Sequence, residues 1–329
     1  MTSIEDDADC LDDPFDAWFS PTIDHAILRG LMRRTNLHGM LTLGLWLLLC
    51  GATMYVVVLT RHSFWVWPAM LVYGSVLCFS YAASHECAHG TAFKTRWLNE
   101  AVFWFTSLVF IEEPLYRRYS HAEHHTHTWF NKLDPQKPYG NPLTLTRYLL
   151  GTFGPAFYFD AARQLFRHSM GRFTQQEMGF LPPSEIHKAI RNSRLMSACY
   201  ATLLVGGIVF QSPWPFILYF IARFLGGGIV TLYINTQHMC MAEDLYDHRL
   251  TTRSIKCGWL ERHLYWNMNY HIEHHMHPAV PFHALPRLNE AIRQQLPAPL
   301  DGVIAANVDI LSAISRQRTE PHFNLSRTH

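Results

Sequence analysis

Residues 39–60 form an apolar run without a single charge, and after Arg61-His62-Ser63 a second uncharged run covers 64–84. Each has the length of roughly 20 residues that a helix needs to cross a bilayer. A second pair follows at 195–211 and 214–235, separated by Ser212-Pro213, with aromatic Trp214 beside the turn. Connections this short predict two hairpins, and so four membrane-spanning helices. Two further apolar stretches, 101–111 and 148–159, are too short to span and are expected at the interface or beneath a cap.

Charge gives the spans a direction. The two turns carry only Arg61, whereas the intervening and terminal segments carry Arg33, Arg34, Lys94, Arg96, Arg117 and Arg118 among others. The positive-inside bias therefore puts both termini and the long intervening segments in the cytosol. A formal net charge of +1 gives no hint of a nucleic-acid partner. Seven cysteines without CxxC pairing indicate neither a disulfide framework nor a small zinc or iron–sulfur module. Residues 5–16 read as an acidic flexible tail rather than a signal peptide, and 316–329 as similarly loose. The expected division is a cytosolic tail and lead-in helix at 1–38, a spanning domain at 39–296, and a cytosolic tail at 297–329.

Histidine changes the picture most. Of 21 histidines, eight fall in three boxes. They are His85 and His89 in HECAH; His121, His124 and His125 in HAEHH; and His271, His274 and His275 in HIEHH. His238 stands apart in NTQHM, just beyond the fourth run. A single histidine on an apolar face is usually a hydrogen-bonded packing residue, but three spaced clusters are not explained that way. On a helix, residues three and four apart share a face, so each box presents its rings to one side. One ion accepts about four to six ligands, so nine imidazoles imply two ions of iron, copper, nickel or zinc. A site built almost wholly from neutral rings favours an oxidising, oxygen-activating centre. The second run ends just before His85 and the fourth just before His238, which places both at one cytosolic mouth.

The remaining histidines, His25, His38, His62, His168, His187, His248, His263, His283, His322 and His329, are expected to be surface or packing residues. His127 and His277, each two residues past a box, are left open. Two rival readings stand beside the oxidase. HECAH satisfies HExxH, with Glu86 as the base of an intramembrane metalloprotease, yet that leaves both HxxHH triplets unexplained. A metal transporter would place its ligands near mid-membrane rather than to one side of the spans.

The boxes and their surroundings resemble the membrane-bound fatty-acid desaturase family over about residues 39–296. The order HxxxH, HxxHH, HxxHH matches, Asp134-Pro135 follows the second box, and Asn267-Met268-Asn269-Tyr270 leads into the third. The resemblance implies an all-α integral membrane fold: four transmembrane helices in two hairpins, with a cytosolic helical cap holding a di-metal site. It makes His85, His89, His121, His124, His125, His238, His271, His274 and His275 ligands of two irons, with O2 as co-substrate. Glu86, Glu123 and Glu273 become candidates for orienting the rings. Asn235 and Asn267 become candidates for the family's water-holding asparagine, although neither has its spacing from His238. A fused haem carrier would show a His-Pro-Gly-Gly signature, and His277-Pro278 continues instead with Ala279-Val280. An external donor is expected: ferredoxin, rubredoxin, or cytochrome b5 with its reductase. The expected reaction is hydrogen abstraction from an unactivated C–H bond, giving desaturation of a fatty-acyl or lipid-like substrate. Hydroxylation, oxidative decarboxylation, or desaturation of a small polar metabolite are the alternatives on the same scaffold. Arg223, a charge within the fourth run, either holds a substrate carboxylate or phosphate, or bonds backbone carbonyls beside Gly226-Gly227-Gly228.

Overall fold

The computed structural model describes residues 18–326, and among these every regular element is helical apart from one isolated bridge between Ile255 and Leu300. Three helices are long and apolar enough to cross a membrane: Asn36–Thr60, Val66–Ala88 and Trp214–His238.

Asn36–Thr60 is apolar on all sides and leaves most of its surface uncovered, with Leu41, Leu48 and Leu59 exposed. A helix of this kind finds its partner in lipid rather than in protein. Its hydroxyls are returned to the backbone, as where Thr53 Oγ1 donates to the Leu49 carbonyl at 2.6 Å and Thr60 Oγ1 to Val56 at 2.8 Å. These two hydroxyls are thereby not left bare in an apolar medium. Trp46 Nε1 donates to the Val76 carbonyl at 2.8 Å and ties this helix to the next.

Val66–Cys78 and Ser80–Ala88 run on through Phe79, which keeps helical dihedrals, so one rod carries the chain to His85. It packs closely on Ala222–His238. At Gly74 and Gly226 a Cβ on either helix would collide with the other's backbone, at Ala222 and Ser75 respectively. Glycine is needed at both positions to let the main chains touch. A π-helical turn, Ile217–Ile221, precedes Arg223 in the same rod.

The third expected span differs from its forecast. Residues 195–211 lie largely in a helix that starts much earlier, at Pro183, and reaches Val209. Its first half is polar, with Glu185, Lys188, Arg191 and Arg194, and the helix packs against Pro114–Thr126 and Ala156–Ser169. The stretch 101–111 belongs mostly to Arg96–Phe110, which buries Val102, Phe103, Thr106, Val109 and Phe110 along one face. The stretch 148–159 is broken at Gly154-Pro155 between Leu145–Phe153 and Ala156–Ser169.

The chain after Arg316 is not loose as far as it is described. Gln317 Oε1 accepts from the Leu143 amide and the Leu325 amide donates to the Cys240 carbonyl, each at 2.8 Å. The preceding helix, Val303–Arg316, buries Ala306, Ile310 and Ala313. The acidic stretch 5–16 lies outside the described residues.

Candidate metal centre

Each box sits where its local sequence makes a helix. His85 belongs to Ser80–Ala88, and His89 caps it. The second box closes Pro114–Thr126, whose start is fixed by Pro114 and by the Glu113 carboxylate accepting from the Leu115 and Tyr116 amides. Proline at the first position and an acidic cap both favour initiation there. His238 is the last residue of Ala222–His238, and the third box forms the short helix His271–Met276.

The structure brings all nine histidines together. His85, His89, His121, His125 and His274 offer ring nitrogens within 4.8 Å of one another, and His124, His238 and His275 form a second such group. His271 completes the second group, with Nε2 3.0 Å from His238 Nε2 and 3.2 Å from His275 Nε2. The groups adjoin, since His125 and His275 stack with ring centroids 4.1 Å apart.

Several contacts suit a cation. His121 Nε2 is approached by His89 Nε2 at 2.9 Å and by His125 Nε2 at 3.2 Å. One ring nitrogen cannot satisfy two others that also point lone pairs inward. Both nitrogens of His85 and Nε2 of His274 are buried without a hydrogen-bond partner. Buried polar atoms left this way are costly, and a metal ion in each group would satisfy them. Burial, followed by the neighbouring histidines, pushes His89, His121, His125, His271 and His275 well below the usual imidazole range, and His274 down to about 3. The rings are thus neutral, the form that ligates.

Partners behind the rings fix which nitrogen faces inward. His124 Nδ1 donates to Asp134 Oδ2 at 2.8 Å, and that carboxylate is held by the amides of Trp129 and Gln136. His238 Nδ1 donates to the Thr251 carbonyl at 2.9 Å, and His121 Nδ1 to Gln136 Oε1 at 3.0 Å. Thr128 Oγ1 donates to the His124 carbonyl, so it accepts from His275 Nδ1 at 3.1 Å. In each case Nε2 is left with its lone pair free.

The residues expected to do this are engaged elsewhere. Glu86 accepts from Thr91 Oγ1 and from the Phe282 amide. Glu273 accepts from Ser254 at 2.8 Å and from Asn289. Glu123 pairs with His127 at 3.0 Å. Asn235 donates to Thr152 Oγ1 at 2.9 Å, and Asn267, at φ 51°, to the Phe282 carbonyl at 3.1 Å. Arg223 is 1 % exposed, and its guanidinium donates to the carbonyls of Val109 and Phe110 at the end of Arg96–Phe110. His277 stays outside both groups. His248, expected to be ordinary, is buried, stacked on Trp18 with centroids 3.9 Å apart and 5.1 Å from His275. Thr128, Gln136 and Thr251 went unmarked in the sequence. Their one signal is position, since Thr128 and Gln136 follow the second box closely, and Asp134-Pro135 lies between them.

A cavity of about 420 Å³ opens against the centre. His121, His124, His238 and His271 wall one end, and Phe157 and Arg223 stand at the other.

The fatty acid desaturase profile matches residues 62–304, a stretch that holds all nine histidines. The chain belongs to the fatty acid desaturase family. It is similar to two fatty acid conjugases of Calendula officinalis. FAC2 A is 25% identical over 270 residues, covering 70% of this chain and 69% of the relative, and FAC2 B is 26% identical over 280 residues, covering 74% and 72%. It is also similar to an sn-1 acyl-lipid omega-3 desaturase (ferredoxin) of Synechocystis, 23% identical over 265 residues, covering 74% of this chain and 71% of the relative. The family member is an oxidoreductase of the desaturase type and a membrane protein. Membership removes the metalloprotease and transporter readings, in keeping with a Glu86 carboxylate already committed to Thr91 and the Phe282 amide.

Proposed function

We propose that this family member is an O2-dependent di-iron oxidase that desaturates a fatty-acyl or lipid-like chain. In this reading the nine histidines hold two irons: His85, His89, His121, His125 and His274 one, and His124, His238, His271 and His275 the other. The carrying observation is the cavity of about 420 Å³, which starts at the histidine rings and runs along Trp214–His238, a helix apolar enough to cross a membrane. Four spans in two hairpins, with the apolar half of Pro183–Val209 as the third, would set termini and centre on the cytosolic side.

Two irons bound there would supply O2 activation and removal of hydrogen from an unactivated C–H bond. The balance is two substrate hydrogens, two external electrons and two protons for each O2 reduced to two waters. The protein's share is placement and exclusion of water. Asp134, Thr128, Gln136 and the Thr251 carbonyl keep the rings in one tautomer, and Trp129 and Tyr81 close the cavity wall near the rings. Electrons come from a separate carrier, and the Synechocystis relative makes ferredoxin the first to test ahead of rubredoxin or cytochrome b5.

The test compares lipids and free fatty acids, by mass spectrometry, in cells expressing the chain or its His124→Ala variant. Loss of two hydrogens, dependent on His124, is expected. A gain of one oxygen would make the enzyme a hydroxylase, loss of CO2 a decarboxylase, and an unchanged profile in both strains would overturn the reading.

A further inference from the structure

Arg223 is spent on backbone carbonyls, but the cavity wall contains a second buried arginine with no such occupation. Arg117 is 5 % exposed, and neither Nε nor Nη2 has a hydrogen-bond partner. Its nearest carboxylate oxygen, Glu112 Oε2, is 3.6 Å from Nη1, and its guanidinium lies 5.0 Å from the Tyr81 ring centroid. A buried guanidinium with one long ion pair is under-satisfied, which is costly unless something else completes it.

The charges of the wall do not cancel. Glu112 lies within the field of both Arg117 and Arg223, so the buried wall carries two cations and one carboxylate. Asp160, also on the wall, is exposed and solvated, and it does not neutralise the interior. One positive charge is left over among the buried side chains of the wall, where an anion gains more than it would in bulk water.

Position fixes the kind of anion and its distance from the chemistry. Arg117 stands four residues before His121 on the same helix, and therefore on the same face, about 6 Å along the axis at ~1.5 Å per residue. We propose that Arg117 binds the carboxylate of the substrate, so that the chain enters as a free acid with its head beside the metal centre. The guanidinium fork matches a carboxylate in shape and charge. Arg117 and His121 both line the cavity one helical turn apart, so a carboxylate held by Arg117 puts the reacting carbons in the carboxyl half of the chain.

This inference rests on the cavity being the substrate site, and its test separates the two claims. Radiolabelled decanoate and methyl decanoate are bound to the iron-loaded full chain in detergent without O2, and products are then mapped after O2 and reduced ferredoxin are added. Wild type is expected to bind the acid at least about tenfold more tightly than the ester, a difference near 1.4 kcal/mol or more. Arg117→Gln should bring the acid down to the ester's affinity, and Arg117→Lys should keep part of the preference. The new double bond should fall in the carboxyl half. Equal binding of acid and ester by wild type, an acid preference that survives in Arg117→Gln, or oxidation confined to the methyl half would each overturn the proposal. So would loss of metal and of both ligands in Arg117→Gln and Arg117→Lys alike, because that is the behaviour of a purely structural ion pair with Glu112. If the variants do not fold, the wild-type comparison and the product position decide alone. Absence of iron, or of any oxidised product from either ligand, counts against the oxidase reading instead, while the binding comparison still judges Arg117.

Discussion

The two histidine groups are built from the same residue type but braced very differently. In the group of His124, His238, His271 and His275, three of four rings have Nδ1 hydrogen-bonded to Asp134, the Thr251 carbonyl and Thr128. In the group of His85, His89, His121, His125 and His274, His121 leans on Gln136, whereas His85 has no partner on either nitrogen and His125 none on Nδ1. Hydrogen bonds of this kind fix tautomer and ring orientation before any ion arrives. The four-ring group is therefore held by its surroundings more firmly than the five-ring group is.

The largest effects should come from deleting a ring in each group. His124→Ala and His85→Ala are each expected to lower iron from two per chain to one and turnover by more than about 100-fold. Elemental analysis after anaerobic reconstitution checks this, and two irons retained in either variant would break the assignment of that ring.

Next in size is the brace itself. Asp134→Asn should weaken iron in the four-ring group by about 10- to 100-fold while sparing the other. Gln136→Leu should do less to the five-ring group, because a neutral amide is a weaker acceptor than a carboxylate. Competition with a metal chelator measures both, and equal losses would remove the contrast.

Acid should act more gently, and on the metal-free protein. Burial holds His274 down to about 3 against an ordinary value of 6.5. An unfolded chain takes up a proton in that window and the folded one does not, so stability is full above about pH 6.5 and falls as pH drops towards 3. His274→Phe should flatten that slope in a denaturant titration, and an unchanged slope would assign the acid sensitivity to other rings.

Much of the centre was legible because helical spacing alone gathers box residues onto one face, and the apolar runs at 39–60, 64–84 and 214–235 became helices close to where they were expected. What escaped the sequence depends on distant partners. The apolar run at 195–211 did not reach back to the start of its helix at Pro183, because the half before it is polar and is marked only by Pro183 and Glu185 at its beginning. The box glutamates looked suited to orienting rings, but Glu86 and Glu273 found partners in Thr91, Phe282, Ser254 and Asn289. The rings were braced instead from the loop residues Thr128, Asp134 and Gln136 and from Thr251 at the end of the one-turn helix His248–Thr251, none of which shows a period to read. Arg223 was ambiguous for a related reason: the carbonyls it meets belong to a helix more than a hundred residues earlier.

Where Gly74 meets Gly226, main chain rests on main chain, and Cys78, Arg223 and Gly227 of the same two rods line the cavity just beyond. Side chains elsewhere on the wall can be exchanged for larger or smaller ones, but at this crossing there is nothing to trim. The inner boundary of the cavity is thus set by backbone and resists gradual adjustment. A lineage that came to accept longer or shorter molecules would have to rework the aromatic side chains Phe157 and Tyr158 that lie against this rod, so substitutions that alter substrate length should accumulate there while the glycine pair stays unchanged.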